Sequence, residues 1–122
     1  MPTPVGVWKQ LNPANKPSPR QAPGMGYDVS HGYVVLFGGE TSSAAGTVPL
    51  GDTWLWDGVD WRRGNYLIEP VARAGAVLSS DPRLGTVLFG GMDGTSGQNV
   101  ADTWEWDGTQ WSLRNAGQSG GP

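Results

Sequence analysis

The stretch 36–61, LFGGETSSAAGTVPLGDTWLWDGVDW, comes back with substitutions as 88–111, LFGGMDGTSGQNVADTWEWDGTQW. Phe37-Gly38-Gly39 lies 52 residues before Phe89-Gly90-Gly91, and Asp52-Thr53-Trp54 lies 50 before Asp102-Thr103-Trp104. Over the last ten positions, 52–61 against 102–111, seven residues are identical. Working outward, Arg20, Asp28 and Gly32 precede Arg73, Asp81 and Gly85 by 53. The offset drifts only in small steps, and these fall between candidate strands. The chain is therefore an internal repeat with a period of about 50 residues, a length associated with repeat architectures.

Each copy reads as short strands. YVVLFGG (33–39) and GTVLFGG (85–91) are β-branched and aromatic runs stopped by a glycine pair. Such runs favour strands, and glycine gives the backbone freedom for a sharp exit. Trp54 and Trp56, like Trp104 and Trp106, are two apart and share one face of a strand. Asp57-Gly58 and Asp107-Gly108 are hairpin-turn pairs ahead of further strands opening at Trp61 and Trp111. Upstream, PGMGYDV (23–29) and AGAVLSS (74–80) are small-residue strands suited to a tight space. Four antiparallel strands per copy follow, and no segment carries a helical period. The segment 5–20 matches 60–73 through Trp8 and its Pro-Arg neighbourhood, which predicts an extra outer strand at 5–11. The expected fold is all-β: one four-stranded unit over 20–65, a second over 73–115, and the spare N-terminal strand.

Composition narrows the functional classes. Gly 20 and Pro 10 make a turn-dense chain of 122 residues, while seven Trp, three Tyr and two Phe supply the apolar burial that disordered chains lack. Eight basic against eleven acidic residues, without a basic cluster, argue against nucleic acid and anionic lipid as partners. The absence of cysteine removes disulfides, thiolate metal sites and a cysteine nucleophile, and leaves the compartment open. The start MPTPVGVWKQLNP lacks the pattern of a signal peptide, and no run has the length of a membrane span. A soluble chain is expected.

The order of arginine, small-residue strand, LFGG, loop, DTWxWDG and a closing Trp resembles kelch repeats, from about Trp8 to Trp111. The resemblance implies a β-propeller in which each copy is one blade. The glycine pairs Gly38-Gly39 and Gly90-Gly91 would end the second strands. Trp8, Phe37, Trp54, Trp56, Trp61, Phe89, Trp104, Trp106 and Trp111 would pack between blades. A propeller ring closes with roughly four to eight blades, so two alone would leave apolar faces bare. Several large side chains would each forgo about 1.5–3 kcal/mol of burial, against a domain stability of about 5–15 kcal/mol. The chain is expected to complete a ring with copies of itself. Six or seven blades are usual in proteins of this kind and an even number is forced here, so a six-bladed homotrimer is the first choice, with 7–11 or 110–115 filling a neighbour's outer edge. The alternative is a fragment of a larger kelch-propeller enzyme, of the sugar oxidase, mutarotase or sialidase type, inactive by itself.

No catalytic constellation, metal site or cofactor site is expected. His31, the single histidine, has no partner histidine and reads as an exposed turn residue rather than a base or ligand. DGTSGQN (93–99) has oxygen-rich spacing but lacks the terminal acid of a calcium loop. Asp52 and Asp102 offer a pair of carboxylates for acid–base work, but their recurrence before each Trp strand favours a hydrogen-bonding role, and the turn positions of Asp57 and Asp107 favour the same for them. Arg20 and Arg73 are the most interesting charges: they either line one end of a channel as receptors for an anion or tie loops to backbone carbonyls, and the second reading is preferred. The tryptophans read as core rather than sugar platforms. The expected function is a non-enzymatic structural and binding module, presenting the loops 40–51 and 92–101 to a protein or glycan, with itself as first partner.

Overall fold

The computed structural model describes residues 6–83 and 85–117. It is all-β, with antiparallel sheets and no helix among the described residues. The first sheet is an up-and-down meander of β1 (Gly24–Asp28), β2 (Tyr33–Ser43), β3 (Gly46–Trp56) and β4 (Trp61–Gly64), in that spatial order. In the second copy β5 (Arg73–Ala74) pairs with β8 (Met92–Asp93) as a short two-stranded piece. The second four-stranded meander runs β6 (Val77–Asp81), β7 (Gly85–Phe89), β9 (Thr103–Trp106) and β10 (Trp111–Asn115).

Register shows how the repeated residues were used. Leu36 lies opposite Trp54 as Leu88 lies opposite Trp104, and Trp56 opposite Trp61 as Trp106 lies opposite Trp111. Strand alternation puts Leu78, Leu88, Trp104, Trp106 and Trp111 on one face of the second sheet. That face packs on Val35, Phe37 and Leu55 of the first, and together they form the core with Ala76. Phe37 meets Trp111 edge-on with ring centroids 5.5 Å apart, a favoured aromatic geometry. The Trp111 indole donates to Thr53 Oγ1 at 3.0 Å.

Glycine in β1 sets how closely the sheets approach. A Cβ on Gly24 would stand 2.4 Å from Leu78 Cδ1, and one on Gly26 3.1 Å from Leu78 Cβ. The small-residue strand occupies the tight place expected of it. The other face of each sheet is uncovered: Met25 and Tyr27 on the first and Val77 and Phe89 on the second are at least half exposed.

Two expectations need correction. No strand forms at 6–11, and Trp8 is 98% exposed; Val5 lies outside the described residues. The fourth-strand places of both sheets are filled by β4 and β10, and one chain offers this segment no third sheet. The interval 40–51 is not a loop: after a bulge between Phe37 and Gly39, β2 and β3 stay paired from Gly39↔Leu50 to Ser43↔Gly46, so this stretch is a β-ribbon with a two-residue turn.

Truncating Leu88, which is fully buried, to alanine is expected to lower the unfolding free energy by about 2–5 kcal/mol. Val48→Ala, on the exposed ribbon, is expected to change it by less than about 0.5 kcal/mol. Urea titration of the two variants checks the contrast.

Candidate functional site

The recurring polar residues converge at the glycine-pair end of each sheet. Arg20, just before β1, donates through Nη1 and Nη2 to both oxygens of Asp52 at 2.6 and 2.9 Å, and through Nη1 to the Gly38 carbonyl at 3.1 Å. Its remaining donors reach Ser18 O and Oγ at 3.1 Å. All five guanidinium N–H groups are thus engaged. Arg73 repeats the arrangement with Asp102 at 2.5 and 2.9 Å, Gly90 O at 3.1 Å and Val71 O at 3.1 Å. Each carboxylate also accepts from the indole of the tryptophan two residues on, Trp54 Nε1 at 2.7 Å and Trp104 Nε1 at 2.9 Å.

The glycine pairs make this geometry reachable. Gly38 and Gly39 have φ of 69° and 102°, Gly90 and Gly91 of 73° and 100°, a region that side-chain-bearing residues avoid. They turn the second-strand carbonyl towards the guanidinium. Space is also short: a Cβ on Gly39 would lie 2.8 Å from Gln21 O, and one on Gly91 2.9 Å from Ala74 O.

Burial works to raise the pKa of Asp52, but the hydrogen bonds from Arg20 and Trp54 outweigh it and hold the carboxyl below its usual range. At Asp102 the Arg73 hydrogen bonds dominate, burial opposes them, and the pKa is again lowered. With side chains 4% and 0% exposed, Arg20 and Arg73 turn their donors on groups of their own chain. The preferred carbonyl tie is present, and a bidentate carboxylate is added to it. Asp52 and Asp102 stand in separate nodes, each with its own arginine.

The opposite end is built from turns. Asp57 Oδ1 accepts from the backbone N–H groups of Val59 and Asp60 at 2.8 and 2.9 Å, and Asp107 Oδ1 from those of Thr109 and Gln110 at the same distances. Both are the turn-forming aspartates expected. His31 lies in the β1–β2 turn, with Nδ1 3.0 and 3.1 Å from the oxygens of the fully buried Asp28. The neighbouring Tyr33 hydroxyl donates to Gly108 O at 2.6 Å, so this turn clasps the β9–β10 turn of the other sheet. Burial raises the Tyr33 pKa, and the adjacent Trp106 indole works against that rise. Among the described residues no group of three or more His, Asp or Glu is placed to hold a metal. In 93–99, Asp93 Oδ1 accepts from Thr95 N at 2.7 Å, a turn of its own.

Two residues escaped sequence reasoning. Tyr33 is one, and Tyr66, whose ring meets Trp106 edge-on at 4.9 Å, is the other. Their repeat counterparts are not aromatic, so the recurrence that singled out the tryptophans carried no signal for them. Tyr66 borders an open groove of about 710 Å³ between 65–68 and 109–113. The equivalent groove of the first copy, about 500 Å³, is lined by Asn15, Trp54, Trp61 and Arg63 among others. Asn15 closes its rim with two 2.8 Å hydrogen bonds to the Asp60 carboxylate.

Asp102→Asn leaves a buried guanidinium short of its counter-charge and is expected to cost about 3–5 kcal/mol of stability. Because the folded pKa values of Asp52 and Asp102 are lowered, their contribution is complete above the unfolded carboxylate range near about 4 and is lost as pH falls through the lower folded values. Urea melts of the parent from pH 7 down to pH 2 should show that decline, and Asp102→Asn should flatten part of it. No protein-family model matches this chain, and no curated protein matches it.

Proposed function

We propose that the chain is a non-enzymatic binding module made of two kelch-type propeller blades that completes a closed ring with copies of itself, three chains giving six blades. The observation that carries this reading is the pair of uncovered sheet faces. Each four-stranded meander buries one apolar face on the other, and each leaves a second apolar face without cover: Met25 and Tyr27 on one side of the molecule, Val77 and Phe89 on the other. An exposed surface of this kind is an interface in waiting. The two faces differ in composition, so contacts between copies are heterologous, and heterologous contacts that close make a ring.

The meander order and the absence of helices are compatible with propeller architecture. The nodes support a structural use of the recurring charges, since the guanidinium donors of Arg20 are consumed within the chain. What remains for recognition is the glycine-pair end. There the 40–51 ribbon and the 92–100 turn flank a recess of about 170 Å³ lined by Glu40, Thr47, Pro49 and Met92 among others. A ring would repeat this surface around its axis, which suits a protein or glycan bound at several points at once.

Native mass spectrometry at micromolar concentration is expected to give three times 12.9 kDa. A monodisperse monomer would overturn the proposal and favour a fragment of a larger propeller.

A further inference from the structure

We infer that copies of the chain meet through one defined contact: the outward face of the second sheet of one copy lies on the tryptophan face of the first sheet of the next, in the register that the two sheets already use within a chain. The inference rests on the self-completing assembly proposed above and adds to it the faces, their polarity and their alignment.

The internal contact supplies the template. Within one chain, Gly24, Gly26, Val35, Phe37, Thr53 and Leu55 of the first sheet face the tryptophan side of the second. Their repeat counterparts in the second sheet are Val77, Ser79, Val87, Phe89, Thr103 and Glu105, which strand pairing places on its outward face. The tryptophan side of the second sheet corresponds to Met25, Leu36, Trp54, Trp56 and Trp61 on the uncovered side of the first. Each half of the buried contact is therefore present a second time, unpaired, on the opposite flank of the molecule.

Specific groups match. Phe37 stands edge-on to Trp111, and the equivalent pair is Phe89 with the next copy's Trp61. Trp111 donates its indole N–H to Thr53 Oγ1; Trp61 and Thr103, their counterparts, have no side-chain hydrogen bond among the described residues. The rim is also in place. Tyr66 borders the internal contact on Trp106, and Pro13, 53 residues earlier, lies with Leu11 beside Trp56 and Trp61 around an apolar recess of about 320 Å³.

Charge agrees with the same polarity. Inside the chain the β1–β2 turn clasps the β9–β10 turn through Tyr33 and Gly108. Between copies, the β6–β7 turn with the exposed Arg83, 3.6 Å from Asp81 of its own turn, meets the β3–β4 turn with Asp57 and with Asp60, which Asn15 already holds. The counterpart contact departs from the template where Val77 and Ser79 stand for Gly24 and Gly26, which holds the sheets further apart, where Met25 stands for Leu78, and at one charged position of the second sheet. Glu105 replaces Leu55, and it is held by Arg114 through two 2.9 Å hydrogen bonds, so no lone charge enters the contact. The second interface is more polar than the first, as suits a surface that is wet before assembly.

The cysteine-free sequence allows a direct test. The Cβ built on Gly26 lies 3.1 Å from Leu78 Cβ, shorter than the roughly 3.5–4.5 Å a disulfide spans; between copies, where Val77 and Ser79 replace the glycines and widen the gap, the counterpart pair Ser79 with Met25 is brought towards that range. Met25→Cys and Ser79→Cys chains are prepared separately, mixed, equilibrated and oxidised. The mixture is expected to give disulfide-linked dimers and each variant alone none, while M25C/S79C on one chain gives a covalent ladder ending at the ring number. Thr103→Val, which leaves the Trp61 N–H unsatisfied, is expected to raise the half-dissociation concentration about tenfold, and Thr109→Val to leave it unchanged. Assembled protein that links only like with like, or not at all, overturns the register while sparing the assembly. A monomeric mass for the unmodified chain overturns both.

Discussion

A guanidinium locked to a carboxylate, a glycine carbonyl and, through that carboxylate, an indole N–H stands at the same end of each sheet. A charge taken out of water is costly unless its partners are fixed. Here the partners come from three places in the chain, the approach to the first strand, the end of the second and the start of the third, and the arginine can be buried only when all three are in register. The node therefore works as a condition on the strand arrangement more than as a source of net stability. It accounts for the recurrence of arginine, glycine pair and Asp-Thr-Trp better than any ligand does.

Above the nodes the apolar faces do the stabilising. Glycine at 24 and 26 lets the first sheet come down onto Leu78, and Phe37, Trp106 and Trp111 fill the space beside it with edge-to-face and tilted ring contacts. The same economy of size leaves one apolar face of each sheet uncovered. Two sheets bury one pair of faces and expose the other, and the repeat makes the exposed pair a diverged counterpart of the buried one. Asymmetry between the copies, with Glu105 where the first has Leu55 and Arg63 where the second has Leu113, falls on the uncovered faces.

At the far end the sheets are joined by polar turns rather than by core. Tyr33 reaches across to Gly108, and Asp28, buried beneath His31, accepts from that residue's backbone N–H at 3.0 Å. The turn is rigid for the same reason the nodes are: a buried carboxylate holds the groups around it. Between these two ends, the strands need only ordinary β-forming residues.

The all-β class, most strand positions and the shared face of Trp54 with Trp56 were legible in the sequence, because alternation and Asp-Gly turns act over a few residues; the Gly38-Gly39 pair, read as a stop, does not end β2, which runs on to Ser43. The recurrence also marked Arg20, Arg73, Asp52 and Asp102 as a set. That they meet was decided by tertiary structure, since Arg20 lies 18 residues from Gly38 and 32 from Asp52, and nothing local fixes such separations. The 40–51 ribbon was hidden because the glycine pair ahead of it reads as a strand stop, and pairing resumes past the bulge only because the opposite strand is there to meet it. The 7–11 segment has the sequence of a strand and no edge to join. Above all, both faces of each sheet are apolar, so pattern alone does not say which is covered; the close approach of Gly24 and Gly26 to Leu78 made that choice, and with it determined which faces stay open.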